Sequence, residues 1–402
     1  MANTLPIILF PIALVLCISA AMAARTKISI VSSLSQDGNF SICKSLVETQ
    51  GYTCQEHNVT TPDGYILGLQ RILVANKTAN NPPVLLQHGL LTDAQSWMLG
   101  SPNESLAFML ADNRFDVWLS NTRGTPSSLG HTSLTPHDFT YWEWSWDELA
   151  AYDLPTFIQY VHDQTGQKLH YIGHSLGTLT ALAAFSEGKL LNMLRSTVLL
   201  SPISYLGQMP SPVPRTISEL YLSEKLYRLG VRQFIPGGQD VAKLVEFACN
   251  RLGISCTNLL TILTGPNCCV KKSVLNAFLE RGPQPTAMKN IMHLAQMVRT
   301  KTIAKYGYGN EDENMKHYGQ ATPPIYNMTN IPKNFPLFLS YGGKDTLSDV
   351  NDNQVLLDNL KVHDRDKMVV QYLANYAHVD FVLGTNANRN VFEPLIAFLR
   401  LH

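Results

Sequence analysis

Short apolar runs closed by turn-forming residues recur along the chain, with stretches of helical apolar spacing between them. Tyr65 to Val74 reads as a strand. Val84-Leu85-Leu86-Gln87-His88 runs into Gly89, as a strand buried on both faces would. Phe115 to Leu119 stops at Asn121 to Gly124, and Leu169-His170-Tyr171-Ile172 stops at Gly173. Thr197 to Leu200, Leu337 to Tyr341 and Met368 to Leu373 repeat the pattern. Glu104 to Ala111, Trp146 to Val161, Leu176 to Phe185 and Val391 to Leu401 have the spacing or the residue types of helices. Strands alternating with helices predict an α/β fold built from crossover units on a mostly parallel sheet.

The alternation lapses between about Tyr205 and Tyr326. That stretch holds amphipathic pieces (Ile217 to Leu229, Val241 to Leu252, Met288 to Ala304), Pro/Gly breaks and a cluster of cysteines. The predicted organisation is a core in two parts, residues 25–204 and 327–402, interrupted by a helical cap insertion over residues 205–326. No internal repeat or low-complexity tract is found.

The first residues differ from the rest. Leu5 to Ala24 is apolar and small, and it ends in Ala21-Met22-Ala23-Ala24, a small-x-small peptidase pattern, so residues 1–24 read as a signal peptide. The segment lacks a basic n-region, which makes an uncleaved anchor the rival reading. Pro6 and Pro11 weaken a spanning helix. No later segment is apolar for long enough to cross a bilayer. The mature chain is thus expected without a transmembrane segment, in the secretory pathway: secreted, vacuolar or lysosome-like.

Composition narrows the class further. Of 402 residues, 45% are hydrophobic and 15% charged, enough for a sizeable core and against wholesale disorder. The formal net charge is zero and no basic run occurs, so nucleic acid is not an expected partner. Beyond Cys17 in the leader, six cysteines remain: Cys43, Cys54, Cys249, Cys256, Cys268 and Cys269. An even number in a secreted chain predicts disulfides. Cys43 and Cys54, alone in their region, are expected to pair. Adjacent cysteines bond only through a strained ring, so Cys268 and Cys269 are each expected to reach Cys249 or Cys256. The rival, a four-cysteine zinc site, lacks the short C-x₂-C steps such sites use. Asn39, Asn58, Asn76, Asn103 and Asn327 stand in Asn-x-Ser/Thr triplets and are glycan candidates.

The candidate chemistry lies at one of the strand-to-helix turns. Gly173-His174-Ser175-Leu176-Gly177 is a G-x-S-x-G sequence with a strand entering and a helix leaving, the setting of a nucleophile elbow. A serine hydroxyl is a weak nucleophile until a base takes its proton. In the elbow arrangement the acid and the histidine follow the serine in that order. Asp345 follows the strand Leu337 to Tyr341, and His378 follows the strand Met368 to Leu373, so both are expected on the same sheet edge as Ser175. Asp349 and Asp380 compete for the role of acid. His363 is the rival base, but it precedes its strand. The tetrahedral intermediate needs backbone N–H donors, each worth on the order of 3 kcal/mol. Leu176, after the serine, and Leu90, in the loop after Gly89, are the candidates. His88 is expected to be a hydrogen-bonded structural histidine.

Further runs are Asp63-Gly64-Tyr65-Ile66-Leu67, Leu86-Gln87-His88-Gly89-Leu90-Leu91, Asp116-Val117-Trp118-Leu119 with Asn121-Thr122-Arg123-Gly124, and Trp144-Ser145-Trp146-Asp147-Glu148-Leu149. To these add Ser201-Pro202-Ile203-Ser204-Tyr205, Thr264-Gly265-Pro266-Asn267-Cys268-Cys269, Tyr341-Gly342-Gly343-Lys344-Asp345 and His378-Val379-Asp380-Phe381-Val382-Leu383-Gly384. With the elbow they span nearly all of the mature chain. On these runs the chain resembles the acid lipases related to gastric and lysosomal lipase, and among them the plant triacylglycerol-lipase-1-like members. The resemblance implies an α/β-hydrolase fold with a cap over the site and ester hydrolysis without metal or other cofactor. It puts the family's nucleophile, acid, base and oxyanion donors on Ser175, Asp345, His378, Leu90 and Leu176. Two runs depart from the family: Leu176 stands where Gln is usual, and Thr125-Pro126-Ser127-Ser128 replaces bulkier residues. The oxyanion donor is a backbone group, so catalysis is expected to tolerate Leu176, while the substrate preference it sets is open.

A lipid ester met at a lipid–water interface is the substrate this implies. Apolar residues of the insertion, Leu220, Leu222, Leu226, Leu229, Val231, Val241, Leu244, Val245 and Phe247, are candidates for a landing surface, although most are expected to pack the cap onto the core. The competing readings are an esterase or acyltransferase for a soluble specialised metabolite, and a non-catalytic lipid binder on the same fold. An intact Ser, Asp and His set argues against the last.

Overall fold

The apolar runs become strands, and their C-terminal ends meet on one rim. In the computed structural model, residues 41–73, 81–235, 238–254, 259–280 and 283–402 are described. The signal segment 1–24, Asn39, Asn76 and Cys256 lie outside the described residues. The strands before the insertion are β1 (Thr53–Thr60), β2 (Tyr65–Leu73), β3 (Pro83–Gln87), β4 (Asp116–Ser120), the short β5 (Gly130–His131), β6 (Leu169–His174) and β7 (Leu194–Leu200). Within the insertion lie β8 (Gln233–Phe234) and β9 (Thr286–Ala287), and after it come β10 (Leu337–Gly342) and β11 (Met368–Leu373). The main sheet runs β1-β2-β4-β3-β6-β7-β10-β11, with β5 beside β2. From β4 to β11 every pairing is parallel, while β2 is antiparallel to its neighbours β1, β4 and β5. The α/β class with a mostly parallel sheet is as the sequence predicts.

Alternate residues of the central strands enter opposite cores, because strand side chains point to opposite faces in turn. Leu85, Tyr171, Leu199 and Leu339 join one cluster, with the helices Leu154–Thr165 and Leu176–Ser186. Val84, Leu86, Ile172, Val198 and Phe338 join the other, with the helices Leu106–Asp112 and Glu393–Leu401. Covering both faces fixes the register of each strand, since a slip by one residue would swap its two faces.

Several elements are absent from the sequence prediction, among them a strand and a helix of the core. β1 (Thr53–Thr60) is an edge strand, partly or fully exposed along its length, and its polar composition follows from that position. The helix Val350–Asn359 between β10 and β11 buries a narrow stripe, Asp352, Asn353 and Leu356, and shows little apolar periodicity.

The segment 205–326 is built mainly from helices and also contains the antiparallel pair β8–β9. The predicted piece Ile217 to Leu229 divides into Pro212–Glu219 and Leu222–Arg228, with Tyr221 at φ 52° between them. The segment has a core of its own, including Val213, Ile217, Leu222, Phe234, Val241, Leu244 and Met292. Leu229 and Phe247 are exposed, while the other apolar candidates are buried or partly covered. The Trp144–Leu149 run ties this segment to the sheet. The Trp146 and His293 rings stack at 4.1 Å. Asp147 accepts from the Tyr306 N–H at 2.7 Å and the Tyr326 hydroxyl at 2.8 Å, and burial pushes its carboxyl up to about 6.

Cys43 and Cys54 form a disulfide. The other cysteines correct the expected pairing: Cys268 and Cys269 bond to each other rather than to Cys249 or Cys256. Cys249 is buried in the core of the insertion, whereas Cys269 packs against the sheet cluster, so the two lie in different layers. Cys249 is itself disulfide-bonded. Asn58, Asn103 and Asn327 are exposed.

One buried ion pair organises the loop after β4. The Arg123 guanidinium donates to Asp63 at 2.6 and 3.0 Å and to Asp153 at 2.7 Å, and it stacks over the Tyr65 ring at 3.8 Å. Asp153 also accepts the Arg123 N–H at 3.0 Å. Removing one partner strands a buried charge, so Arg123→Ala is predicted to lower the unfolding free energy by roughly 3–5 kcal/mol. Urea denaturation checks this, and a loss below about 1 kcal/mol would show that the pair contributes little.

Candidate active site

β6 ends at His174 and the helix Leu176–Ser186 begins one residue later, so Ser175 alone makes the turn. It does so at φ 54°, ψ −118°, a backbone region that a side chain adopts only when its surroundings enforce it. Close packing supplies that enforcement. A Cβ on Gly177 would meet the Gln87 carbonyl oxygen at 2.6 Å, and one on Gly89 would meet Ser175 Cβ at 2.9 Å. The glycines let the β3 loop and the elbow touch.

Three side chains from three strand ends converge there. His378 Nε2 is 2.8 Å from Ser175 Oγ, and its Nδ1 is 2.9 and 3.1 Å from the two Asp345 carboxylate oxygens. Ser175 is 7%, His378 3% and Asp345 4% exposed, so the hydrogen-bonded line is shielded from bulk water. Burial raises the Asp345 carboxyl. The His378 charge and hydrogen bond, with the N–H groups of Ser348 and Leu347, outweigh burial and hold it below the usual carboxylate range.

The competing residues do other work. Asp349 caps the helix Val350–Asn359 by accepting from the Asn351 N–H at 2.8 Å. His363 Nε2 lies 2.6 Å from the Phe335 carbonyl oxygen. Asp380 accepts from three backbone N–H groups. The Cys268, Cys269 and Asp380 donor atoms lie within 4.8 Å of one another, but the sulfurs are joined to each other and present no thiolate pair to a metal.

Leu176 is the first residue of the helix and Leu90 follows Gly89 in the apposed loop, and among the described residues neither N–H donates to a protein acceptor. The loop is braced from behind. His88 Nδ1 lies 2.8 Å from the Gly89 carbonyl and His88 Nε2 accepts from the Thr122 N–H at 3.1 Å. Burial pushes His88 down to about 4, so it stays neutral and keeps one donor and one acceptor. Thr122 adjoins Arg123, and the buried ion pair therefore reaches the loop through two residues.

His174 and Ser201 hold the His378 backbone from the other side and were not singled out by the sequence. His174 Nε2–H donates to the His378 carbonyl at 3.0 Å, and the Ser201 hydroxyl donates to the same oxygen at 3.3 Å. A histidine beside the serine is one of many residues the x of G-x-S-x-G admits, so no sequence signal marks it.

The chain is similar to known proteins over most of its length. The α/β hydrolase fold family matches residues 82–382, and the partial α/β-hydrolase lipase region matches residues 43–101. Triacylglycerol lipase 2 of Arabidopsis thaliana is 46% identical over 89% of this chain and 87% of its own. Triacylglycerol lipase 1 of the same plant is 39% identical over 94% and 97%. Gastric triacylglycerol lipase of Rattus norvegicus is 35% identical over 87% and 89%. A soluble variant of monoglyceride lipase from Saccharomyces cerevisiae superposes with a TM-score of 0.56 at 17% identity, covering 90% of this chain and 98% of its own, a likeness of fold. The chain belongs to the acid lipase family of α/β-hydrolases, the family to which gastric lipase and the plant triacylglycerol lipases belong. It is a carboxylic ester hydrolase.

Burial pushes His174 down to about 3, whereas an unfolded chain protonates it at about 6.5. Between these values the unfolded state binds the extra proton, so the contribution of His174 is complete above about 6.5 and is lost as pH falls. His174→Gln keeps an N–H donor and does not titrate. It is predicted to flatten the rise of unfolding free energy with pH over this window, by at most about 1.4 kcal/mol per pH unit. Denaturation series at several pH values measure the slope, and an unchanged slope contradicts the assignment.

Proposed function

We propose that the protein is a secreted lipase that cleaves acylglycerol esters at a lipid–water interface through an acyl-enzyme on Ser175. The observation that most supports this is the buried hydrogen-bonded line from Ser175 Oγ through His378 to Asp345, at 2.8 and 2.9 Å. His378 Nε2 takes the hydroxyl proton as Oγ attacks the ester carbonyl carbon. The carbonyl oxygen becomes an oxyanion facing the N–H groups of Leu90 and Leu176. Its collapse expels the alcohol, to which His378 returns the proton, and leaves the acyl group on Ser175. Water, deprotonated by the same imidazole, attacks the acyl-enzyme and releases the fatty acid. Asp345 fixes the ring and offsets the imidazolium charge at each stage.

The relatives' names support the acylglycerol substrate. The nearly complete burial of Ser175 supports the reading of residues 205–326 as a cap that must move before a lipid enters. Exposed Leu229 and Phe247 would then face the interface. The leader 1–24 and the Cys43–Cys54 disulfide support passage through an oxidising secretory compartment, with glycans at the exposed sequons. The destination in this reading is extracellular, vacuolar or lysosome-like.

Ser175→Ala is predicted to abolish hydrolysis of emulsified triolein while leaving the unfolding midpoint near wild type, and turnover near wild type would refute the nucleophile. Asp345→Asn is predicted to lower kcat by roughly 10⁴-fold. If it is silent, the acid lies elsewhere. For the wild type, the rate is predicted to climb as a long-chain ester passes its solubility limit. Activity confined to dissolved short-chain esters would indicate a soluble esterase, and ester products formed with added alcohol would indicate an acyltransferase.

A further inference from the structure

The loop carrying His378 is strapped to residues 264–270 of the insertion. The His378 N–H donates to the Thr264 carbonyl at 3.1 Å, and the Thr385 N–H to the Cys269 carbonyl at 2.8 Å. The Val379 N–H donates to Asn267 Oδ1 at 3.3 Å, and Val270 bridges Gly384. One side chain gathers these contacts. Asp380 is fully buried, and its Oδ2 accepts from the Ala377 N–H at 2.8 Å and the Cys268 N–H at 3.0 Å. Its Oδ1 accepts from the Cys269 N–H at 3.1 Å. Among the described residues, no cation pairs with this carboxylate. Burial, with the nearby Asp345 charge, raises this carboxyl above the usual carboxylate range, and the three N–H groups aimed at it are what oppose that rise. The vicinal Cys268–Cys269 disulfide closes the strap so that two successive N–H groups face the same acceptor.

We propose that Asp380 is a positioning residue for ester hydrolysis: its carboxylate locks the His378 loop to the Cys268–Cys269 segment and so keeps the imidazole within reach of Ser175. This rests on the reading of His378 as the base. The clamp acts on Ala377 and the strap on the His378 N–H, while His174 and Ser201 hold the His378 carbonyl. The backbone on both sides of the ring is thereby fixed, and Asp345 has the ring orientation left to set. A misplacement of about 1 Å costs on the order of 10²-fold in rate. In Asp380→Asn, the amide turns an NH₂ toward a backbone N–H, and one arm of the clamp opens.

The test compares wild type, Asp380→Asn, Asn267→Ala and His378→Ala on p-nitrophenyl butyrate, a dissolved ester, together with urea unfolding. Asp380→Asn is predicted to lower kcat by about 10–100-fold with KM changed by less than about 2-fold, in a protein that remains folded at the assay temperature. A kcat within about 2-fold of wild type, with only a lower unfolding midpoint, would make Asp380 merely structural and overturn the proposal. Should Asp380→Asn fail to fold, Asn267→Ala removes the Val379 contact from the other side of the strap. A fall in kcat at constant KM there supports the proposal, and an unchanged kcat overturns it. His378→Ala is predicted to be inactive. If it retains activity, the base itself is misassigned and the proposal falls with it, a result separate from a failure at Asp380.

Discussion

A serine hydroxyl can attack an ester only if an imidazole waits at hydrogen-bond distance with its lone pair aimed at the oxygen. In this chain that contact, 2.8 Å from His378 Nε2 to Ser175 Oγ, joins residues 203 positions apart, and the rest of the fold serves to hold it. A parallel sheet covered on both faces is suited to that task. Its strands end on one rim, and β6, β10 and β11 each deliver one member of the set there. The cost is local. Ser175 occupies a strained backbone conformation, and the carboxylate and two histidines beside it are buried.

That cost is offset by neighbours that leave few groups unpaired. Asp345 keeps its charge because His378 and two backbone N–H groups face it. His88 and His174 stay neutral by burial and spend their ring nitrogens on backbone groups of the loops around the serine. The Arg123 ion pair stiffens the β4 loop, which braces His88 in turn. Asp380 performs the same service for His378. The polar interior is thus organised in two shells, one that reacts in the proposed mechanism and one that restricts where the first can go.

Much of this was legible in the sequence because the governing signals are local. The apolar runs at Val84 to His88, Leu169 to Ile172 and Leu337 to Tyr341 are continuous, since each strand is buried on both faces, and the Gly-x-Ser-x-Gly turn is marked by the glycines that close packing demands. The Ser, Asp, His order then singled out the side chains that converge. What escaped depends on the tertiary surroundings. β1 is exposed and polar, so no apolar run announces it. The helix Val350–Asn359 buries polar residues as well as Leu356 and has no clean stripe. The Cys268–Cys269 bond was misjudged because ring strain was weighed without the fold, which carries Cys249 into another layer and leaves the neighbours facing the His378 loop. His174 and Asp380 matter through backbone contacts to residues far away in sequence, which spacing does not encode.

The central claim is that Ser175 is activated by the His378–Asp345 pair. Its most direct measurement is mass spectrometry of the folded protein after brief exposure to a fluorophosphonate, followed by proteolysis. The account predicts one covalent adduct, on the peptide containing Ser175, formed by the native protein and lost after denaturation or in His378→Ala. An adduct on another serine, or an active protein whose Ser175 peptide stays unmodified, would contradict it.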